Sequence, residues 1–229
     1  MTRPPVFVEL CAGLASVSLM LQGGRYARPP VSRMGNKHGY ALAILRVMGL
    51  RPGQGADRYL WCEPDPGCRA LLHAYTDREV MQEAARIIRS WKDEEPRALW
   101  ERLRAEGPIR VGDARDVARW GFLAGSAYIQ GDPSTAYAGD PGNNGGRMGD
   151  VRVRFAGRAD RTPTLPATVT PDARTVEPIQ GAVCFIDPPY LNTTGYGNDL
   201  PREDVVAMAR RWADAGARVP PVASTRAGT

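Results

Sequence analysis

The sequence predicts an α/β fold, a parallel sheet with helices on both faces. Two observations lead there. Short apolar runs alternate with stretches of helical periodicity along most of the chain, the signature of strand–helix–strand units. Each motif able to carry chemistry also stands at the carboxyl end of such a run, where sheets of this kind bind their ligands.

Val6–Leu10 is the first apolar run and breaks at Cys11-Ala12-Gly13, after which Ala15, Val17, Leu19, Met20 and Leu21 fall at mostly helical spacing up to Gly23-Gly24. Pro29-Pro30 and Gly35-Asn36 mark 25–36 as a loop. A second helix carries Tyr40, Ala41, Ile44, Leu45, Val47 and Met48 and is closed by Gly49. Residues 59–63 form the second strand, ended by Pro64 and Pro66, with a short helix over 68–75 behind it. Two amphipathic helices follow. Val80, Ala84, Ile87, Ile88 and Trp91 share a face of the first, and in the second Pro96 takes the first turn while Leu99, Trp100 and Leu103 point inward. Residues 109–113 read as a third strand leading into a helix through Val117 and Trp120 to about Gly125.

From 131 to about 180 the character changes to Gly, Pro, Asn, Asp and Thr, and only Val151-Arg152-Val153-Arg154-Phe155 alternates, as a hairpin strand does. A structureless stretch of that length inside a domain is usually functional or disordered. Residues 182–186 form a fully buried strand that runs into Asp187-Pro188-Pro189-Tyr190. The last helix spans 201–216 with Val205, Val206, Ala209, Trp212 and Ala213 inward, and Ala217-Arg218-Val219 is placed to begin one more strand before Pro220-Pro221 stops it.

With 229 residues, 43% of them hydrophobic, the chain can bury one substantial core, so residues 1–229 form a single domain with a loop-rich insertion at 131–180. No run approaches the roughly 20 apolar residues of a membrane span, and no apolar leader follows a basic start, so the expected location is cytoplasmic, away from membranes. Metal chemistry is not expected. The four cysteines contain no Cys-x-x-Cys pair, and only His38 and His73 could add imidazole. Cys11, Cys62 and Cys184 sit at the ends of apolar runs as small reduced hydrophobes. The net charge is +5, and residues 25–58 alone carry +6, from Arg25, Arg28, Arg33, Lys37, Arg46, Arg51 and Arg58 against Asp57. A surface for a polyanion and a solvated face account for that segment equally well.

Asp187-Pro188-Pro189-Tyr190 suits one kind of substrate. An exocyclic amino group on a nucleobase is a poor nucleophile because its lone pair is delocalised into the ring. A carboxylate accepting one N–H and a backbone carbonyl accepting the other would turn that lone pair toward an electrophile by orientation and electrostatics. Asp187 would be the carboxylate and Pro188 the carbonyl. The prolines fix φ and remove two donors, and Tyr190 offers a face on which an extruded base can stack. A plain strand-ending turn would use the same residue types.

Together with Phe7-Val8-Glu9-Leu10-Cys11-Ala12-Gly13 and Arg33-Met34-Gly35-Asn36-Lys37, the tetrapeptide resembles the amino-methylating DNA methyltransferases, most closely the DNA adenine methylase family. The resemblance rests on three short motifs and the strand–helix order over 6–216. It implies a Rossmann-like S-adenosylmethionine-dependent methyltransferase fold whose C-terminal strands are missing here. It also implies methyl transfer from S-adenosylmethionine to N6 of adenine in double-stranded DNA. The alternatives are N4-cytosine methylation, which the same geometry serves, and a catalytically silent DNA-binding relative.

Carried onto this chain, the resemblance makes Asp187, Pro188, Pro189 and Tyr190 catalytic. It places Glu9, Leu10, Cys11, Ala12 and Gly13 around the methionine part of the cofactor, Glu63 on the ribose, Asp113 and Ala114 at the cofactor's adenine, and Lys37 near the cofactor carboxylate and target base. Arg33, Asn36, Arg152 and Arg154 become DNA contacts, the last two inside the 131–180 insertion where the family often places DNA recognition. Capping a helix is an equal role for Asp113. Two departures stand out: Leu14-Ala15 replaces the usual second glycine of the turn, and the lysine motif follows that turn where the family has it first.

Overall fold

A computed structural model of the protein describes residues 4–32, 36–128, 133–138, 150–188 and 200–220. Its sheet has four strands, β1 (Val6–Leu10), β2 (Arg58–Cys62), β3 (Ala167–Thr170) and β4 (Val183–Ile186), all parallel in the order β3-β2-β1-β4. The fold is α/β and compatible with a Rossmann-like arrangement. Leu10 is in register with Cys62 on one side and Ile186 on the other, so the carboxyl ends of β2, β1 and β4 come level. Arg218 continues the sheet past β4: its N–H donates to the Ala182 carbonyl (2.8 Å) and its carbonyl accepts from Cys184 (3.0 Å), as the apolar pattern at 217–219 suggests.

Alternation along the strands splits the interior in two. Phe7, Tyr59 and Trp61 face the larger core, beneath α1 (Ser16–Gly23), α2 (Ala41–Val47) and five further helices. Val8, Leu10, Cys62, Cys184 and Ile186 face the smaller one, closed by Val205, Met208 and Trp212 of α8 (Arg202–Asp214). The intervening helices are α3 (Pro66–Ala74), α4 (Arg78–Ser90), α5 (Pro96–Arg104), α6 (Ala114–Ser126) and α7 (Val151–Ala159). Their starts are written in carboxylates. Asp65 caps α3, Asp77 caps α4 and Glu95 caps α5, each accepting first-turn N–H groups, and Pro66 and Pro96 take the first helical position where no donor is needed. Met81, Ala84, Ala85 and Ile88 then repeat every three or four residues and bury one face of α4.

Two expected strands are not strands. Residues 109–113 are irregular: Val111 is 40% exposed, and Arg110 folds back so that its N–H (3.0 Å) and Nε (2.8 Å) both donate to Asp116. The third strand is Ala167–Thr170, inside the stretch expected to be a loop-rich insertion, and it pairs with β2 from Tyr59 to Cys62. Residues 151–155 belong to α7, because Val151 and Phe155 lie four apart on a face that fits the notch left by Gly121 and Gly125 of α6. A Cβ at Gly121 would occupy the Phe155 ring, and one at Gly125 would strike Val151. Apolar alternation and helical spacing coincide over five residues, and packing decides between them. Among the described residues no helix is long and apolar enough to cross a membrane, and no group of His, Cys, Asp and Glu is arranged to hold a metal ion.

Candidate functional site

Four strands deliver four short turns to one end of the sheet. β1 ends in Cys11-Ala12-Gly13, β2 in Glu63, β3 in Pro171-Asp172 and β4 in Asp187. Ladder-like hydrogen bonds carry on beyond the strands and lock these turns together: Ala12 donates to Cys62 (2.8 Å), Glu63 to Thr170 (3.0 Å) and Asp187 to Leu10 (3.2 Å).

The turn after β1 bends through the left-handed region at every second residue, with φ of 63° at Cys11, 53° at Gly13 and 48° at Ala15. Cys11 and Ala15 are the only non-glycine residues with positive φ among those described. A side chain in that region costs about 1–2 kcal/mol, so Ala15 stands, at a cost, where the resembled motif has its second glycine. Glu63 holds the bend: its buried carboxylate accepts from Gly13 N–H at 2.7 Å and from Asp65 N–H at 3.0 Å.

Lys37 and Asp187, far apart in the chain, meet here. Lys37 Nζ lies 2.7 Å from Asp187 Oδ2, with the two side chains 16% and 21% exposed. The lysine opens a short 3₁₀ turn, Lys37–Gly39, capped by Asn36, whose side-chain oxygen accepts from His38 N–H at 3.0 Å and from the Ser16 hydroxyl. Asn36 thus ties the lysine turn to the start of α1. Burial pushes the Asp187 carboxyl above the ordinary carboxylate value, and the bond and charge of Lys37 pull it back only in part.

Glu9 lies inside the larger face of the sheet. Its Oε1 accepts from Ser18 N–H (2.7 Å) and Ser18 Oγ (2.5 Å), and Trp61 Nε1 donates to the same hydroxyl (2.8 Å). Burial raises this carboxyl to about 7 against the pull of the Ser18 bonds, and the negative charge of Asp187 adds to the rise. Glu9 is therefore a buried acid within electrostatic reach of the Lys37–Asp187 pair, not a side chain open to a ligand. Leu10 is fully buried in the smaller core, so it too offers only backbone to the turn.

The residues brought together are Cys11, Ala12, Gly13, Asn36, Lys37, Glu63, Asp187 and Pro188. Pro189, Tyr190 and Arg33 lie outside the described residues. Asp113 and Ala114 do not stand at a strand end: Asp113 caps α6 through Arg115 and Asp116 N–H groups and pairs with Arg110 at 2.8 Å, and Ala114 is the first residue of that helix. The acid that the third strand delivers is Asp172, whose charge adds to the raised thiol values of both Cys11 and Cys62. Its signal in the sequence was the β-branched run Thr168-Val169-Thr170 cut off by Pro171-Asp172. Arg152 is not a surface cation. It is buried, with Nη1 on the Trp91 (2.7 Å) and Glu94 (2.9 Å) carbonyls and Nε on Asp150 (2.9 Å). Arg154 stays half-buried beside the loop at 30–32.

Compared with protein-family models and with curated proteins, the sequence finds no match.

Proposed function

We propose that the chain transfers a methyl group from S-adenosylmethionine to N6 of adenine in double-stranded DNA. One observation carries this reading. The lysine and the aspartate of two motifs that resemble the adenine methylases form a shielded ion pair 2.7 Å long, beside a strained turn of the third motif. Three unrelated turns would have no reason to converge at one sheet end and to hold Cys11 and Ala15 in a costly conformation there.

Each residue then has a task. Lys37 occupies Oδ2 of Asp187 and offsets part of the rise that burial gives its carboxyl, leaving Oδ1 to accept one N–H of the base. The Pro188 carbonyl accepts the second N–H, and Tyr190 stacks on the extruded ring. The residues present fit S-adenosylmethionine. Glu63 places a carboxylate at the end of β2, where a ribose diol would need an acceptor, and the bend at 11–13 brings backbone close to a ligand. When bound, the cofactor would supply an electrophilic methyl on its sulfonium, to which the amine nitrogen would bond as the S–CH3 bond breaks, the thioether leaves and one N–H proton passes to solvent. The proposal includes a cytoplasmic location.

Incubation with methyl-labelled cofactor and duplex DNA, followed by digestion and mass identification of the nucleoside, tests it. N6-methyladenine supports the assignment, N4-methylcytosine moves it to the other amino group, and unlabelled DNA overturns it. Asp187→Ala should bind the cofactor and lose turnover; a variant that still turns over refutes the role given to Asp187.

A further inference from the structure

Behind the lysine turn, α7 and the loop at 30–32 form a small depression of about 30 Å³, lined by Arg154 and Arg158 with Val31, Ser32 and Val151. Four guanidinium groups crowd this corner. Burial holds the pKa of Arg158 below the ordinary arginine value, and the positive charges of Arg154, Arg28 and Arg161, all within electrostatic reach, lower it further. Arg158 spends one N–H on the Pro29 carbonyl at 3.4 Å. The acids at the two ends of α7 are committed elsewhere, Asp150 to Arg152 and Asp160 to Arg89. Among the described residues no carboxylate pairs with Arg28, Arg154, Arg158 or Arg161.

Packing like charges without a counter-ion works against folding, so the arrangement calls for an anion from outside the chain. The corner adjoins the site, because Arg28 and Arg158 also act on His38, the residue after Lys37. Tyr26 and Tyr40, both within the basic segment 25–58, are 83% and 70% exposed, aromatic faces of the kind that nucleic acid surfaces use.

We infer that Arg154 and Arg158, supported by Arg28 and Arg161, grip phosphodiester groups of the DNA duplex next to the base presented to Asp187. The inference deepens the proposed function and rests on it only for where the duplex goes. Arginine suits the task because its planar fork binds phosphate through two parallel hydrogen bonds.

The test is binding of a fluorescein-labelled duplex of mixed sequence, without cofactor, by Arg154→Gln, Arg158→Gln and the double variant across a salt series. Each lost contact should lower affinity roughly eightfold at about 0.1 M salt and reduce the slope of log K against log salt by about 0.9. Thermal unfolding without DNA should hold or rise, because the substitutions relieve repulsion. Variants that bind with unchanged affinity and slope overturn the clamp, even if the wild type methylates. Variants that unfold at lower temperature and keep the wild-type slope also overturn it, and mark the arginines as structural. Variants that lose binding as stated support the clamp, even if no methyl transfer is found. Inorganic phosphate as competitor separates the two kinds of anion: competition only by duplex supports a multi-phosphate grip, and equal competition at matched ionic strength overturns it.

Discussion

Exchanging Glu9 for glutamine removes one buried acid from within electrostatic reach of the site while keeping the acceptor that Ser18 uses. The wild-type carboxyl sits at about 7 against an ordinary 4.5. At about 1.4 kcal/mol per pH unit, that displacement corresponds to about 3 kcal/mol. The folded chain holds this proton more tightly than the unfolded chain does. Its stabilising effect is therefore complete below 4.5 and is lost as the pH rises to about 7. Glutamine stays neutral throughout and resembles the protonated acid. The stability of Glu9→Gln minus that of the wild type should be near zero at about pH 4.5 and should climb to about 3 kcal/mol by about pH 8. For a chain of this size that is a rise of roughly 6–12 °C in melting temperature. Glu106, Asp116 and Asp150, held low with arginine partners, titrate in both proteins and cancel in the difference. Urea titrations followed by tryptophan fluorescence read the change directly, since Trp61 donates to the same Ser18 hydroxyl. A difference that stays flat across this range would mean that Glu9 ionises as a solvated carboxylate, and the account of a buried acid within reach of the ion pair would fail.

Lys37→Met should destabilise the fold by about 1–3 kcal/mol, less than the cost of breaking a fully buried pair because both side chains keep some solvent contact. A double-mutant cycle with Asp187→Asn, measured by urea unfolding, should give a coupling of about 1 kcal/mol or more; additive effects would remove the pair from the site. Gly121→Ala should cost about 1–3 kcal/mol, because its methyl group needs the volume of the Phe155 ring. Gly157→Ala on α7, where a Cβ meets open space, should instead add about 0.5–1 kcal/mol through helix propensity. Equal effects in thermal melts would contradict the packing of α6 on α7.

The elements legible in the sequence were those whose burial pattern repeats over several turns or whose apolar run is nearly unbroken. β1, β2 and β4 are mostly apolar or aromatic runs, with Glu9 and Arg58 as the exceptions, and α4 advertises itself by a capping aspartate and an apolar face. What misled were five-residue windows. At 109–113 and 151–155 the side chains fit a strand, but one segment has no neighbour to pair with and the other packs through residues four apart. β3 hid behind threonines because it is an edge strand, with a solvent-touched face that need not be apolar. The site divides in the same way. Lys37, Glu63 and Asp187 were legible because chemistry-bearing residues followed apolar runs or opened a helix. Asp172 was missed with its strand, and the inward course of Arg152 depends on the carbonyls of Trp91 and Glu94, which come from another part of the chain.

The bend at Cys11 and Ala15 has a consequence for how a guest is received. Glycine at both positions would let this stretch wander among several shapes, each open to the solvent. Side chains there exclude most of those shapes, and the sheet supplies the force that keeps the remaining one. The ligand proposed for this corner would find its seat already moulded and would have little ordering left to impose.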